Sequence, residues 1–181
     1  MNNQLEYAFV LKNFVTTSNK VILLHQKLGK ITCIYSYKDS AKNLCSGSLI
    51  RCLVEQRNNY YTFVNFVTEF TPINRSVSML YFIHDILRLC LTKLPYNVAV
   101  KELFDFLLYV FQSLPILTAE GQQIVLLRLF LLFDLLPEKQ EMYQCAIQDP
   151  HGVIKQSEDN LKLYVQACWD TFEHEKYLDK K

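Results

Sequence analysis

Lys30-Ile31-Thr32-Cys33-Ile34-Tyr35-Ser36-Tyr37-Lys38 puts Ile31, Cys33, Tyr35 and Tyr37 on one side of an extended chain and Lys30, Thr32, Ser36 and Lys38 on the other. Ile34 alone breaks the pattern. A period of two is the mark of a strand with one buried face, because successive side chains point to opposite sides. Upstream, Lys20–Gln26 is a mostly apolar run, and Tyr7–Val15 is rich in aromatic and β-branched residues; the turn residues Thr16 to Asn19 separate them. Downstream, Leu49–Gln56 and Tyr60–Phe70 flank Arg57-Asn58-Asn59, a short hairpin turn. Five such segments in about 65 residues predict a small antiparallel barrel. The OB-fold is the commonest five-stranded version and the one expected, and an SH3-like barrel fits the count almost as well.

Beyond Thr71-Pro72-Ile73-Asn74-Arg75 the period lengthens. Ser76 is placed to cap a helix running to about Thr92, with Pro95 as its stop. A second helix is expected from Val98 to Leu114 before Pro115, and a third from its cap at Thr118 to about Leu136 before Pro137. A fourth runs from Asp159 or Asn160 to Tyr177. The second and third are apolar nearly all round, as helices buried among neighbours are. The expected fold class is therefore α+β. Residues 1–75 form a five-stranded barrel, residues 76–181 an all-α bundle, and the two subdomains share an interface.

The 181 residues are half hydrophobic with four glycines, which excludes disorder and fibrous repeats. The net charge of +1 conceals an asymmetry: residues 1–75 hold nine Lys/Arg against four Asp/Glu, and residues 76–181 hold ten against fourteen. Six cysteines occur without a CxxC pair, and the start Met-Asn-Asn-Gln has neither the basic residues nor the apolar run of a secretory leader. Reduced, buried cysteines in a cytoplasmic protein are expected. The richest apolar stretch, Ile124 to Leu136, has 13 residues interrupted by Arg128 and Asp134, against about 20 for a membrane span. No nucleotide-binding, metalloprotease or nucleophile-elbow motif is present, and His25, His84, His151 and His174 lack partners at metal spacing. Neither catalysis, nor a cofactor, nor a metal is expected.

The candidate binding residues are the cations of the barrel: Lys12, Lys20, Lys27, Lys30, Lys38, Lys42, Arg51 and Arg57. Several stand beside aromatics, as Lys38 beside Tyr37 and Arg57 shortly before Tyr60-Tyr61. Single-stranded nucleic acid is held by such a combination, cations for phosphates and rings for bases. Composition alone favours a solubilising coat over a core filled or covered by Tyr35, Tyr37, Tyr60 and Tyr61, since +5 over 75 residues is not extreme.

Taken in order, Val10-Leu11, the polar turn Thr16 to Asn19, the apolar strand Val21 to Leu24, Gly29-Lys30, and then Lys38 and Lys42 resemble the N-terminal barrel of the RecO family of bacterial recombination mediators. Tyr60–Phe70 with Pro72 resembles that family's exit into its helical domain. Residues 127–138 (LRLFLLFDLLPE) are similar to the helix preceding its zinc module. The resemblance covers about residues 5–145 and implies an OB-fold that binds single- and double-stranded DNA. It also implies strand annealing, recombinase loading with RecR in DNA repair and recombination, and contact with the C-terminal tail of single-strand-binding protein. The chain departs from the family at the zinc module. Only Cys145 stands where two CxxC pairs would fall, and Ser157-Glu158-Asp159-Asn160 occupies the second position, so no zinc site is expected and residues 146–160 read as a loop.

Overall fold

Alternating apolar side chains close on themselves in the first half of the chain. The computed structural model describes residues 5–14, 19–35, 44–58, 60–73, 75–137, 139–152 and 154–178. Its strands are β1 (Glu6–Asn13), β2 (Lys20–His25), β3 (Gly29–Ile34), β4 (Leu49–Arg57) and β5 (Tyr60–Phe70). They form a closed barrel in the order β1-β2-β3-β5-β4, with β4 returning to β1. Every pairing is antiparallel except the short one between β3 and β5. This is the connectivity of an OB-fold barrel, and it removes the SH3-like alternative.

The interior is built by every second residue: Val10, Val21, Leu23, Ile31, Cys33 and Ile50 are among the fully buried side chains. Burying each large aliphatic group contributes about 1.5–3 kcal/mol. Tyr35 also points inward and donates its hydroxyl to Asn13 Oδ1 at 3.3 Å. The expected hairpin turn is present. Arg57 pairs with Tyr60, and Asn58 takes a φ of +52°, the left-handed geometry that a two-residue hairpin loop requires.

Two compact units divide the chain, Met1–Asp105 and Phe106–Lys181. The change from strand to helix, between Phe70 and Val77, falls inside the first unit, which continues through helix α1 (Val77–Lys93). Ser76 caps α1 by accepting from the Met79 N–H at 3.3 Å, and the helix buries Phe82, Ile83, Ile86, Leu89 and Cys90. On the outer side of β1, Phe9 is buried against Phe104 with ring centroids 5.3 Å apart.

Helix α2 (Lys101–Ser113) begins in the first unit, three residues later than its sequence pattern suggests. Asn97 adopts a left-handed φ of +59°, and residues 97–100 stay outside the helix. In the second unit, α3 (Ala119–Leu132) packs against α4 (Gln140–Ala146) and α5 (Glu158–Leu178). Thr118 caps α3 through the Gly121 N–H, as its position predicts. The helix stops at Leu132 rather than Leu136, because Asp134 turns left-handed (φ +57°). The Leu135 N–H then reaches back to Phe130 O and the Asp134 N–H to Leu131 O, a Schellman closure. No apolar repeat in the sequence marks seven-residue α4, which spans about two turns. Trp169 of α5 meets Phe130 edge-on at 5.0 Å. No described helix is long and apolar enough to cross a membrane.

Candidate nucleic-acid interface

Strand register decides which barrel side chains share a surface. Lys12 pairs with Ile22 and Ile22 with Thr32, so these three stand in one outward row across β1, β2 and β3. Tyr61 pairs in parallel with Cys33, both facing inward, so Tyr60, one residue earlier, continues the outward row onto β5. Arg57, the partner of Tyr60, ends the row on β4. Lys20, Ile34 and Thr62 form a second row beside the first. Lys12, Lys20, Arg57 and Tyr60 are exposed, while Ile22, Thr32 and Ile34 are half-buried.

The first row has a cation at each end with uncharged side chains between, and Lys20 adds a cation beside Ile22. Lys12 Nζ lies 4.9 Å from the centre of the Phe14 ring. Arg57 approaches Glu55 at 3.7 Å, and both side chains are exposed. Such a surface pair is worth about 0–1 kcal/mol and leaves the guanidinium free to exchange its partner. Lys20 has no ion-pair or hydrogen-bond partner for its ammonium among the described residues. The Ile34 that breaks the alternation of its strand therefore lies in this surface, between Lys20 and Thr62.

The remaining sequence-predicted cations are placed differently. Lys27 pairs with Glu6 and Arg51 with Glu69, which offsets their charge locally. Lys38 and Lys42 lie outside the described residues, as does Tyr37. Lys30 is only 5% exposed. Its ammonium donates to Leu91 O, near the end of α1, at 3.0 Å and lies 4.4 Å from the centre of the Tyr96 ring. Burial holds its pKa below the ordinary lysine value. Lys30 satisfies a helix-end carbonyl, and its charge is spent inside the fold. Simple alternation gave it a solvent-facing position, and no local signal announces that residues 91–98 cover it.

Glu6 and His25 occupy another end of the barrel interior. His25 is 3% exposed; its Nδ1 accepts from the Lys27 N–H at 3.3 Å, and its Nε2 faces Glu6 Oε2 at 3.6 Å. Burial lowers its pKa, partly opposed by the Glu6 charge. Both ring nitrogens are thus engaged in holding the β2–β3 turn against β1. None of the six cysteines is in a disulfide, and all but Cys45 are buried. Among the described residues, no three His, Cys, Asp or Glu side chains converge to hold a metal. Cys145 is buried in α4, and the His151 ring, whose two nitrogens have no hydrogen-bond partner among the described residues, packs edge-on to Tyr109 at 5.4 Å.

No protein-family model matches the chain, and no curated protein is detectably similar to it in sequence.

Proposed function

We propose that this chain is a non-catalytic DNA-binding protein of the RecO type, acting in the cytoplasm in DNA repair and homologous recombination. It binds single strands, anneals complementary ones and assists RecR in loading the recombinase. The observation that carries the reading is the outward row Lys12–Ile22–Thr32–Tyr60–Arg57 across an OB barrel. In that fold the β2–β3 face and its bordering loops are where oligonucleotides bind. Ammonium and guanidinium groups neutralise phosphates, and the Tyr60 ring and flanking aliphatic groups receive base faces, so the contact is insensitive to base sequence. Double-stranded DNA, RecR and the tail of single-strand-binding protein enter as partners through the resemblance alone.

Fluorescence anisotropy with a labelled single strand, at low and at physiological salt, tests the reading. Three phosphate contacts from Lys12, Lys20 and Arg57 give a slope of log K against log salt of about −2. Replacing all three by Gln should flatten that slope. Absent binding at low salt by a folded protein would refute the reading.

One observation favours a second reading, a protein-interaction scaffold without nucleic-acid binding. Val64 and Val67 stand 49% and 44% exposed on β5, and Arg51 on the neighbouring strand is already neutralised by Glu69. That reading requires partner binding that salt does not weaken. An RNA-binding OB protein is a third outcome, distinguished by competition between matched DNA and RNA oligomers.

A further inference from the structure

The outward faces of β2 and β3 carry three cross-strand rows: Lys20 with Ile34, Ile22 with Thr32, and Leu24 with Lys30. The first two reach solvent, while the third is buried, Leu24 completely and Lys30 to all but 5%. The connection between α1 and α2 crosses the sheet at that row. Tyr96 bridges Lys30 in parallel, the Asn97 N–H donates to Lys30 O at 2.9 Å, and the Lys30 ammonium donates to Leu91 O. Gly29, with φ +71°, lets the strap lie so close that a Cβ there would come within 1.8 Å of Val98 O. Beyond the strap, Lys27 and Lys101 line a separate hollow together with Glu6, Tyr7 and Gln26.

We infer that the strap forms one wall of the nucleic-acid track, so that the interface holds a single strand about four nucleotides long and the cations beyond the strap take no part. This rests on the DNA-binding reading above. The row from Lys12 to Arg57 crosses four inter-strand gaps of about 4.8 Å, about 19 Å in all. A strand advances about 3.4 Å per stacked nucleotide, so at most about five to six fit end to end, and about four when the strand is stretched. One ring stands near each end, Phe14 beneath Lys12 and Tyr60 beside Arg57. The footprint cannot widen onto the Leu24–Lys30 row, because the strap occupies it.

Affinity measured against oligothymidines of about two to about twelve nucleotides reads the track length directly on the unaltered protein. Affinity should rise steeply to about four nucleotides and then change by less than about threefold once the number of binding registers is allowed for. Lys12→Gln and Arg57→Gln should each weaken binding about three- to tenfold at low salt, and Lys101→Gln should leave it unchanged. A further rise of more than about tenfold between six and twelve nucleotides would overturn the track while leaving DNA binding standing. An effect of Lys101→Gln equal to that of Lys12→Gln would do the same. No binding at any length overturns both this inference and the reading on which it rests.

Discussion

Gly29→Ala is the most severe small change the first unit offers. Gly29 sits at φ +71°, where an L side chain costs about 1 kcal/mol or more. Its new Cβ would lie 1.8 Å from Val98 O and 2.4 Å from Val98 C, so strap or strand must move by more than about 1 Å to restore an ordinary contact. The obstructing atoms are backbone, and no rotamer change relieves them. Such a shift breaks the Asn97 N–H bond to Lys30 O and draws the Lys30 ammonium away from Leu91 O. A neutral hydrogen bond contributes about 0.5–1.5 kcal/mol and a charge-assisted one about 1.5–3. The loss should therefore reach about 3–5 kcal/mol, against a total stability of about 5–15 for a domain. Urea unfolding followed by far-UV circular dichroism measures it. Gly152→Ala is the control: its Cβ would meet nothing nearer than 3.3 Å, and its change should stay within about 0.5 kcal/mol. A Gly29→Ala loss below about 1 kcal/mol, or one no larger than the control, would refute the account of the strap.

Three further outcomes follow from local geometry. Burial depresses the pKa of His25 below 6.5, so its contribution is complete above that pH and falls away as pH drops through the lower folded value. Each unit of depression is worth about 1.4 kcal/mol, and His25→Gln should remove that part of the acid slope in urea midpoints. Asp134 closes α3 in a left-handed conformation with a negative charge at a helix C-terminus. Asp134→Asn keeps the backbone preference and removes the adverse charge, so it should stabilise by about 0.3–1 kcal/mol; a loss in thermal melts would contradict this. Burial pushes the Cys52, Cys90 and Cys168 thiols up to about 12 and raises those of Cys33 and Cys145. A thiol reagent at neutral pH should titrate Cys45 well ahead of these five, and rapid reaction of a second cysteine would show that the core is looser than described.

The chain by itself determined the elements. One period-two run and four apolar or β-rich segments specify five strands, the Asn-Asn turn a hairpin, and Ser76 and Thr118 the starts of two helices, because hydrogen-bond geometry and side-chain preference act over a few residues. Helix ends were less legible: Asp134 ends α3 by a left-handed turn that an aspartate permits without announcing, and seven-residue α4 spans about two turns, too few for a repeating pattern to show. The candidate interface was legible only in composition. Its cations could be enumerated, but whether each faces solvent, an ion-pair partner or the interior depends on strands brought together from distant parts of the chain. Lys12, Ile22, Thr32, Tyr60 and Arg57 become one row only through barrel register, since pairing across a closed sheet is set by long-range contacts. Lys30 is the sharpest case. Alternation turns it outward as it does Lys20, yet residues 91–98 return to bury it, and that return depends on where α1 packs rather than on any property of the strand.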